Sequence, residues 1–531
     1  MAAYRDIHEN EPAVLKMRLD HRARTGVLIG ALSMFFALDM AFLASVAGFT
    51  FAPDALGQAF IEILPGAIVV PLIGLLQHWA KRLLVAGVIA LFMVSGAVTG
   101  ALAVDPKRRD RLVLLSGALP WVATVGLGQL FARGEVDLSS VLLTTGIGAA
   151  TYFAALQLLS GVATYQPPRA TEPRSPSRRR ILFGAAAVSA VFALGSLGGG
   201  AAVRAIAKRA EGIPFVARRL RSKVSPPAPL QTFESLAALT PRVTDNADHY
   251  TVDTTLIKPS ADITKWQLDI TGSVQEPYSL SYDDLLDLEA VEQLKTLECI
   301  SNEVGGELIS TALWTGVPLR DLLARAKPKP ETYDVKLTSI DGYTDSIRID
   351  KAMESDTIVA YLMNGVTIPL DHGYPARLLV PNIYGMKNVK WLKSVECVTF
   401  DYLGYWMERG WSDIATVNTN TRIDTPSRSV RWTGGAIAIG GIAFAGARGI
   451  SKVDVSTDGG KTFGAAELEP ALGPLTWVRW KLDWTPPGTG KFQIVARSTD
   501  KTGALETQIR REPFPNGATG WDSTDVLVTR G

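Results

Sequence analysis

The sequence predicts a chain of three parts: an N-terminal α-helical transmembrane bundle, a mixed α+β domain and a C-terminal β-sandwich. Long apolar stretches are concentrated between residues 25 and 203. Short β-rich runs alternate with helical pieces from about 240 to 400, and after about 430 nearly all runs are strand-like and separated by turn signals. We place the boundaries at 1–204 for the bundle, 205–240 for a Pro-containing linker, 241–425 for the α+β domain and 426–531 for the sandwich.

Six apolar stretches approach the length of about 20 residues that a helix needs to cross a bilayer. They are 25–49, 55–77, 83–104, 111–131, 139–161 and 181–203. If all six cross, basic residues divide eight against nine between the two sides, but if 55–77 does not fully cross they divide fourteen against three. Because basic residues favour the cytoplasmic side, we expect five full spans and a cytoplasmic N-terminus. The stretch 55–77 contains Glu62, Pro65 and Pro71, so we expect it to be re-entrant.

The last apolar stretch follows residues 177–183, in which three arginines precede Ile181, Leu182 and Phe183. This pattern resembles a twin-arginine export signal placed inside the chain. A plain cytoplasmic basic anchor accounts for it equally well. Seven further basic residues in 204–223 oppose export, because they would then lie outside the cytoplasm. The pattern leaves both interpretations open.

Composition excludes several classes of function. The net charge of +2 gives no argument for nucleic-acid binding. The two cysteines, Cys299 and Cys397, are far apart and form no CxxC motif, so we expect neither an iron–sulfur cluster nor structural zinc. The apolar stretches contain only His78 as a histidine, at a helix end, so we expect no haem either.

The segment that carries the most chemistry is 296–306, in which Cys299 stands between a strand-like run and a Gly-rich turn. A lone cysteine in this position is compatible with an inert core residue. It is equally compatible with a thiolate that binds a metal, which requires a nearby cation or metal. Cys397, in the strand-like run 393–400, is predicted to be a small buried hydrophobe.

Four blocks resemble the sulfite oxidase family of molybdopterin-dependent oxidoreductases. Segments 296–306 and 313–319 resemble its molybdenum-binding segment, and 360–392 is similar to its long MNG…DHG…VKWL run. The segment 246–253 resembles its pterin-contacting N-terminal loop, and 449–461 resembles its dimerisation domain, which implies an immunoglobulin-like sandwich. These blocks cover most of 241–531, whereas the apolar part shares none of them.

The resemblance implies a molybdenum cofactor with Cys299 as catalytic residue and metal ligand. It also implies the set of cofactor-binding residues: Asn246, Tyr250, Thr251, Cys299, Thr338, His372, Arg377, Asn388, Val389 and Lys390. Arg377 offers a planar fork of donors that suits a phosphate, and Lys390 adds a further cation. Tyr343 matches a tyrosine near the oxo group in oxidising members and is the second expected catalytic residue. The alternative for Tyr343 is a half-buried strand aromatic.

The resemblance further implies oxygen-atom transfer coupled to two-electron redox at molybdenum. Sulfite-oxidising members carry an arginine where this chain has Val252, and a basic pair where it has Asn302–Glu303–Val304. Binding a small dianion without those cations would be costly. We therefore expect a sulfoxide- or N-oxide-like substrate. A sulfite oxidase-type dehydrogenase and a non-catalytic cofactor-binding membrane assembly protein are the alternatives.

Since no haem or iron–sulfur motif is present, we expect a separate electron carrier, either a quinone or a cytochrome-type protein. We also expect a homodimer formed through the C-terminal domain and no nucleic-acid partner. The expected location is the bacterial cytoplasmic membrane, as a multi-pass protein with an extracytoplasmic catalytic domain.

Overall fold

The computed structural model describes ten segments of the chain. They are 21–46, 50–64, 79–103, 117–131, 138–164, 213–236, 238–255, 258–259, 261–426 and 428–531. The chain divides into two compact units, of which one consists mainly of apolar helices and the other contains every described strand.

The described part of the apolar region is helical. Its helices are α1 (His21–Val46), α2 (Ala52–Ile63), α3 (Ala80–Ala103), α4 (Leu119–Phe131) and α5 (Leu138–Thr164). Three of these helices contain apolar segments long enough to cross a membrane: Arg24–Ser45, Lys81–Ala103 and Ser139–Ser160. Small residues bring α1 and α3 together, because a Cβ on Gly30 would clash with the backbone of Gly96 and Gly100.

The number of membrane spans stays a prediction. The helices α2 and α4 have 12 and 13 residues, fewer than a bilayer crossing needs. The last predicted span, the arginine-rich segment 177–183 and most of the second half of 55–77 lie outside the described residues.

Two sheets form the α+β domain. The first has the order β1-β4-β5-β8-β10, with β9 paired to β8: β1 (Leu220–Ser222), β4 (Ala290–Glu298), β5 (Ile309–Pro318), β8 (Ile358–Met363), β9 (Val366–Thr367) and β10 (Arg377–Leu379). The second has the order β3-β2-β11-β6-β7: β2 (Gln267–Gly272), β3 (Tyr278–Ser281), β6 (Asp334–Ser339), β7 (Thr344–Arg348) and β11 (Leu392–Val398). Short helices accompany the sheets: α6 (Gln231–Glu234), α7 (Tyr282–Asp287), α8 (Leu319–Ala326) and α9 (Ile349–Ala352).

Burial explains why these strands form. All of β8 and most of β4 and β5 are buried, so their residues form a nearly continuous interior instead of alternating between core and solvent. The helix α7 begins at Ser281, whose hydroxyl and the Asp284 carboxylate form a capping box. The antiparallel pair β4–β5 ends at residues 299–308, and this connection therefore presents Cys299 at the end of the most buried hairpin.

Part of the predicted linker belongs to the α+β domain. The strand β1 runs parallel to β4, and the Ala290 N–H donates to the Arg219 carbonyl at 2.9 Å. Arg218 pairs with Asp283 and Asp287, each at 2.8 Å. The segment therefore extends the edge of the first sheet, where it satisfies backbone groups of β4 that would otherwise lack partners.

Two further sheets form the C-terminal domain. One has the order β12-β14-β18-β17: β12 (Asn420–Thr425), β14 (Ile437–Phe444), β17 (Glu467–Leu468) and β18 (Val478–Trp484). The other has the order β13-β20-β19-β15-β16: β13 (Ser429–Trp432), β15 (Ile450–Ser456), β16 (Gly464–Ala465), β19 (Gly490–Asp500) and β20 (Asp522–Arg530). Trp480 and Ile494, one from each sheet, lie fully buried in the shared core. The immunoglobulin-like assignment stays a prediction.

Candidate functional site

Cys299 is held by a turn that its neighbours close. Its N–H donates to the Leu308 carbonyl at 2.9 Å, and the Asn302 amide oxygen accepts from the Leu308 N–H at 2.9 Å. The sulfur lies 3.0 Å from the Ser301 hydroxyl. Burial raises the pKa of the Cys299 thiol, which Ser301 lowers in part. The thiol is therefore not a thiolate by itself, and a bound metal cation would supply the charge that deprotonates it.

Arg377 is a buried cation that contacts carbonyl oxygens instead of carboxylates. Its guanidinium donates to the His372 carbonyl at 2.9 Å and to the Asn388 carbonyl at 3.0 Å. Its Nε is buried without a hydrogen-bond partner among the described residues. Burial lowers the pKa of Arg377 to about 10. A buried charge of this kind is costly unless an anion accompanies it, so the position fits a phosphate.

His249 lies beside this arginine and was not among the residues that the sequence indicated. Its ring centroid is 5.1 Å from that of His372 and 5.9 Å from that of Trp314. Burial, and then His372 and Arg377, lower the pKa of His249 to about 3, so the ring is neutral. Its Nε2 and the Trp314 Nε1 are both buried without partners in the described part of the chain. The Arg377 guanidinium lies 5.2 Å from the Trp314 ring.

These unpartnered polar atoms fit a molybdenum cofactor, because a pterin offers ring nitrogens and an oxygen, and its phosphate offers an anion. His249 Nδ1 faces the Tyr250 carbonyl at 3.3 Å, which favours a proton on Nδ1 and leaves Nε2 as an acceptor. A signal for His249 and Trp314 was present, since both stand inside the blocks on which the family resemblance rests. Their significance comes from burial without partners, which a sequence does not display.

The loop 246–253 is fixed against the turn that contains His372. The Asn246 carbonyl lies 2.7 Å from His372 Nε2, and the Asn246 amide oxygen accepts from Asn364 Nδ2 at 2.8 Å. Burial lowers the pKa of His372, so this ring is also held neutral. Tyr250 lies near both Cys299 and Arg377, and burial raises the pKa of its phenol well above the usual value. Thr251 is exposed.

The turn 385–390 organises the other side of the site. The Asn388 side chain accepts from Lys295 Nζ at 2.9 Å and from the Val380 N–H at 2.8 Å, and it donates to the Tyr384 carbonyl at 3.0 Å. Lys295 is a fully buried lysine that the sequence analysis did not single out, and burial lowers its pKa well below the usual value. Asn388 therefore connects β4, β10 and this turn.

Three further predicted cofactor contacts differ in their surroundings. The Lys390 ammonium pairs with Asp253 and donates to the Asp371 carbonyl at 3.1 Å, so its charge is already compensated. Val389 is buried, and its carbonyl accepts from the Leu378 N–H at 2.8 Å. Thr338 lies half-buried in β6, where it pairs with Thr344 of β7 and Ser394 of β11.

Comparison with known proteins finds two family models on this chain. The oxidoreductase molybdopterin binding domain matches residues 255–406, and the Mo-co oxidoreductase dimerisation domain matches residues 412–511. Mitochondrial sulfite oxidase of Mus musculus is 31% identical in an alignment of 290 residues that covers 46% of this chain and 53% of the relative. Nitrate reductase (NADH) of Solanum lycopersicum is 27% identical in an alignment of 314 residues that covers 47% of this chain and 34% of the relative.

Among solved structures, the sulfane dehydrogenase SoxCD from Paracoccus pantotrophus aligns with a TM-score of 0.49 and 24% identity, over 55% of this chain and 85% of that chain. The chain spans about half the length of the mammalian relatives that it matches. The family models and relatives confirm the predicted resemblance, the oxidoreductase class and the molybdenum cofactor.

Proposed function

We propose, from the premise that this chain belongs to the sulfite oxidase family of molybdopterin-dependent oxidoreductases, that it is a membrane-anchored enzyme for oxygen-atom transfer. The observation that carries this proposal is a buried cluster that contains Cys299, Arg377 and His249 around Tyr250. Within it, Arg377 Nε and His249 Nε2 are buried without a hydrogen-bond partner among the described residues. When bound, the molybdenum cofactor would supply the oxygen-atom transfer and the two-electron redox chemistry.

The residues of this chain would hold and orient that cofactor. Cys299 would provide the thiolate ligand, and Arg377 would pair with the phosphate through a charge-assisted hydrogen bond. His249 Nε2 would accept from a pterin N–H. Tyr343 is the proposed second catalytic residue, whose phenol would hydrogen-bond the substrate oxygen. Lys390 would contact the cofactor phosphate only if its ion pair with Asp253 were broken.

The remaining predicted contacts keep smaller roles in this proposal. Tyr250 would pack between the thiolate and the phosphate, while Asn246, His372 and Asn388 would position the groups around them. Thr251, Thr338 and Val389 would line the cofactor.

The surroundings of Cys299 support a neutral or weakly charged substrate. Val252 is 44% exposed, and both polar ends of the Asn302 side chain are occupied by Glu298 and the Leu308 N–H. Glu298, the neighbour of Cys299 in the chain, is a carboxyl whose pKa burial raises to about 7, so this position supplies no cation. A sulfoxide or an N-oxide suits such surroundings better than a dianion does. Sulfite oxidation is the second candidate, because several relatives are named for it.

Three long apolar helices support an anchor in a membrane, and the dimerisation domain supports a homodimer. The separate electron carrier belongs to this proposal, as does the extracytoplasmic position of residues 213–531 in a bacterial cell.

Metal analysis of the purified full-length protein tests the proposal. Protein made in a host that synthesises the cofactor should contain about one molybdenum per chain. Cys299→Ala should abolish turnover, whereas Cys397→Ala, which removes the other buried thiol from β11, should keep both molybdenum and turnover. Wild-type protein without molybdenum would refute the proposal, and equal turnover by the Cys299→Ala variant would favour an assembly protein. Faster turnover of sulfite than of sulfoxides and N-oxides would overturn the substrate assignment.

A further inference from the structure

A row of charged side chains connects Tyr343 with solvent. The Tyr343 hydroxyl lies 2.9 Å from Asp345 Oδ2, and Asp345 Oδ1 lies 3.0 Å from Lys387 Nζ. Lys387 Nζ also lies 3.0 Å from Asp413 Oδ1. The side chains of Asp345, Lys387 and Asp413 are 0%, 4% and 41% exposed. The row therefore begins at the half-buried Tyr343 and ends at a carboxylate that is partly exposed to solvent.

The phenol of Tyr343 has one hydrogen and two acceptors. Besides Asp345, its oxygen lies 3.0 Å from the Met386 carbonyl. When Asp345 is ionised, the phenol donates to its carboxylate. When Asp345 carries a proton on Oδ2, the acid donates to the phenol oxygen and the phenol turns its hydrogen to Met386. Hydrogen bonds are thus available in both protonation states of Asp345, as an exchangeable proton requires.

Lys387 controls which of these states is favoured. Its ammonium donates to Asp345, to Asp413 and to the Ser346 carbonyl at 2.8 Å, so all three of its hydrogens are used. Burial raises the pKa of the Asp345 carboxyl, and Lys387 lowers it in part. Burial opposes the charge of Lys387, but the two carboxylates raise its pKa above the ordinary value. Lys387 therefore stays an ammonium and stabilises the ionised form of Asp345.

The other charged groups of this region face different partners. Asp341 and Tyr405 face Tyr343: the Tyr343 N–H donates to Asp341 at 3.1 Å, and the ring centroids of Tyr343 and Tyr405 are 5.8 Å apart. The Arg409 guanidinium lies over the Tyr405 ring at 3.7 Å. On the neighbouring strand β6, Lys336 pairs with Glu396 of β11 at 3.0 Å.

We propose that Asp345 exchanges protons with the Tyr343 phenol and that Lys387, anchored by Asp413, is a positioning residue that sets the pH of this exchange. The inference rests on the proposed function, because it assigns the phenol to the reacting oxygen. Reduction of a sulfoxide consumes two protons and two electrons from the carrier and yields a sulfide and water. In each proton step, the phenol hydrogen goes to the departing oxygen and the Asp345 proton restores the phenol. Solvent then reprotonates Asp345, and no electron moves along the row.

Two measurements on the full-length holoprotein test the proposal. The first is the pH dependence of sulfoxide reduction with a reduced dye as electron donor. The second is infrared spectroscopy of the protonated carboxyl band as a function of pH, which needs no turnover. Lys387→Met should move both the alkaline limb of the rate profile and the loss of the Asp345 band upward by about one pH unit or more, because the stabilising charge is gone.

Companion variants separate this role from a structural one. Asp345→Asn should remove the band and lower turnover by at least about 10²-fold. Lys387→Arg should restore both readouts to within about half a pH unit, since it keeps the charge. Lys336→Met, which removes a lysine from an ion pair in the same sheet, should move neither readout. If Lys387→Met does not fold, Asp413→Asn supplies the test: the Asp345 band should then be lost at a lower pH, because a neighbouring negative charge is removed and Lys387 pairs with Asp345 alone.

Unchanged titration of the Asp345 band in Lys387→Met, or in Asp413→Asn where that variant replaces it, would overturn the proposal. A wild-type spectrum without a titrating band sensitive to Asp345→Asn would overturn it as well. If the Asp345 band shifts in Lys387→Met while the wild-type protein transfers no oxygen atom, the proposed function is contradicted. That result would still support the acid–base coupling between Asp345 and Lys387. The two failures are therefore distinguishable.

Discussion

Two buried arginines, one in the α+β domain and one in the C-terminal domain, have opposite surroundings. Arg479 in β18 donates to both oxygens of Glu469, at 2.7 and 3.0 Å, and also contacts Glu234. Arg377 in β10 donates only to the carbonyl oxygens of His372 and Asn388 and leaves its Nε without a partner among the described residues. Although burial opposes the charge of Arg479, its carboxylates raise its pKa, whereas burial lowers that of Arg377.

This difference separates a structural charge from a binding charge. Both guanidiniums are almost fully buried, so burial does not distinguish them. The charge of Arg479 is balanced by the protein itself, and that of Arg377 is left for an anion to balance. A buried cation that faces only carbonyl groups therefore indicates a ligand phosphate more strongly than a basic residue near the surface does.

The largest expected effect concerns the structural arginine. Arg479→Met leaves Glu469 buried, with Arg242 at 3.6 Å as the remaining cation that pairs with it among the described residues. The free energy of unfolding of the chain should fall by on the order of 3 kcal/mol, because breaking a buried pair strands a charge. Denaturant titration measures this loss. The molybdenum content of the variant protein that remains folded should not change. If the variant lost cofactor without losing stability, Arg479 would not be the structural arginine of the pair.

The binding arginine should show the reverse pattern. Arg377→Met should weaken cofactor retention by about 10- to 100-fold, since the phosphate loses a charge-assisted hydrogen bond. In cofactor-free protein the same variant should leave the free energy of unfolding unchanged or higher, because an unbalanced buried charge is removed. Molybdenum analysis after dialysis and denaturant titration of the cofactor-free chain check the two parts. A large destabilisation of the cofactor-free chain would show that Arg377 is structural.

The effect that is smallest per measured step is the dependence of domain stability on pH. The folded state keeps His249 neutral with a pKa of about 3, below the ordinary 6.5, so the contribution of His249 to the stability of the site domain should be lost as pH falls from about 6.5 toward 3. Glu298 of the same domain, with a pKa raised to about 7, contributes in the opposite direction. Burial raises the pKa of Glu506 in the sandwich to about 8, above the ordinary 4.5, so that domain should lose stability as pH rises from about 4.5 toward 8.

Each group contributes a slope of at most about 1.4 kcal/mol per pH unit. Amide hydrogen exchange, analysed separately for the two domains of cofactor-free protein, measures the slopes. His249→Gln should remove the loss of stability toward low pH that His249 contributes to the site domain, and Glu506→Gln should remove the loss toward high pH that Glu506 contributes to the sandwich. A slope that its own variant leaves unchanged would contradict the assignment of that group.

Long, specific motifs made much of the site predictable. The blocks around Cys299 and His372 indicated a molybdenum cofactor before any geometry was available, and strand-like runs indicated both kinds of sheet. The partners of the predicted residues were not predictable in the same way. The motif around Lys390 predicts a phosphate ligand, but the Lys390 ammonium pairs with Asp253, which lies 137 residues away in the sequence.

Other features depended on pairings that local patterns do not encode. The strand β1 stands in a stretch that reads as a linker, because its partner β4 begins about 70 residues later. His249 stands in the block 246–253, but the feature that makes it important is a buried Nε2 without a hydrogen-bond partner among the described residues. The number of membrane crossings depends on segments of similar hydropathy, and basic residues alone do not decide it.

The Asn388 amide has a consequence for how the cofactor enters the protein. The Asn388 side chain accepts from Lys295 of β4 and from Val380, directly after β10, and it donates to the Tyr384 carbonyl. Its main-chain carbonyl accepts from the Arg377 guanidinium. Loosening the turn 385–390 would break these buried contacts at the same time. We therefore expect the turn to open only when the interior of the domain opens. Insertion of the cofactor is then an event of biogenesis, and exchange in the mature protein should be as slow as its unfolding.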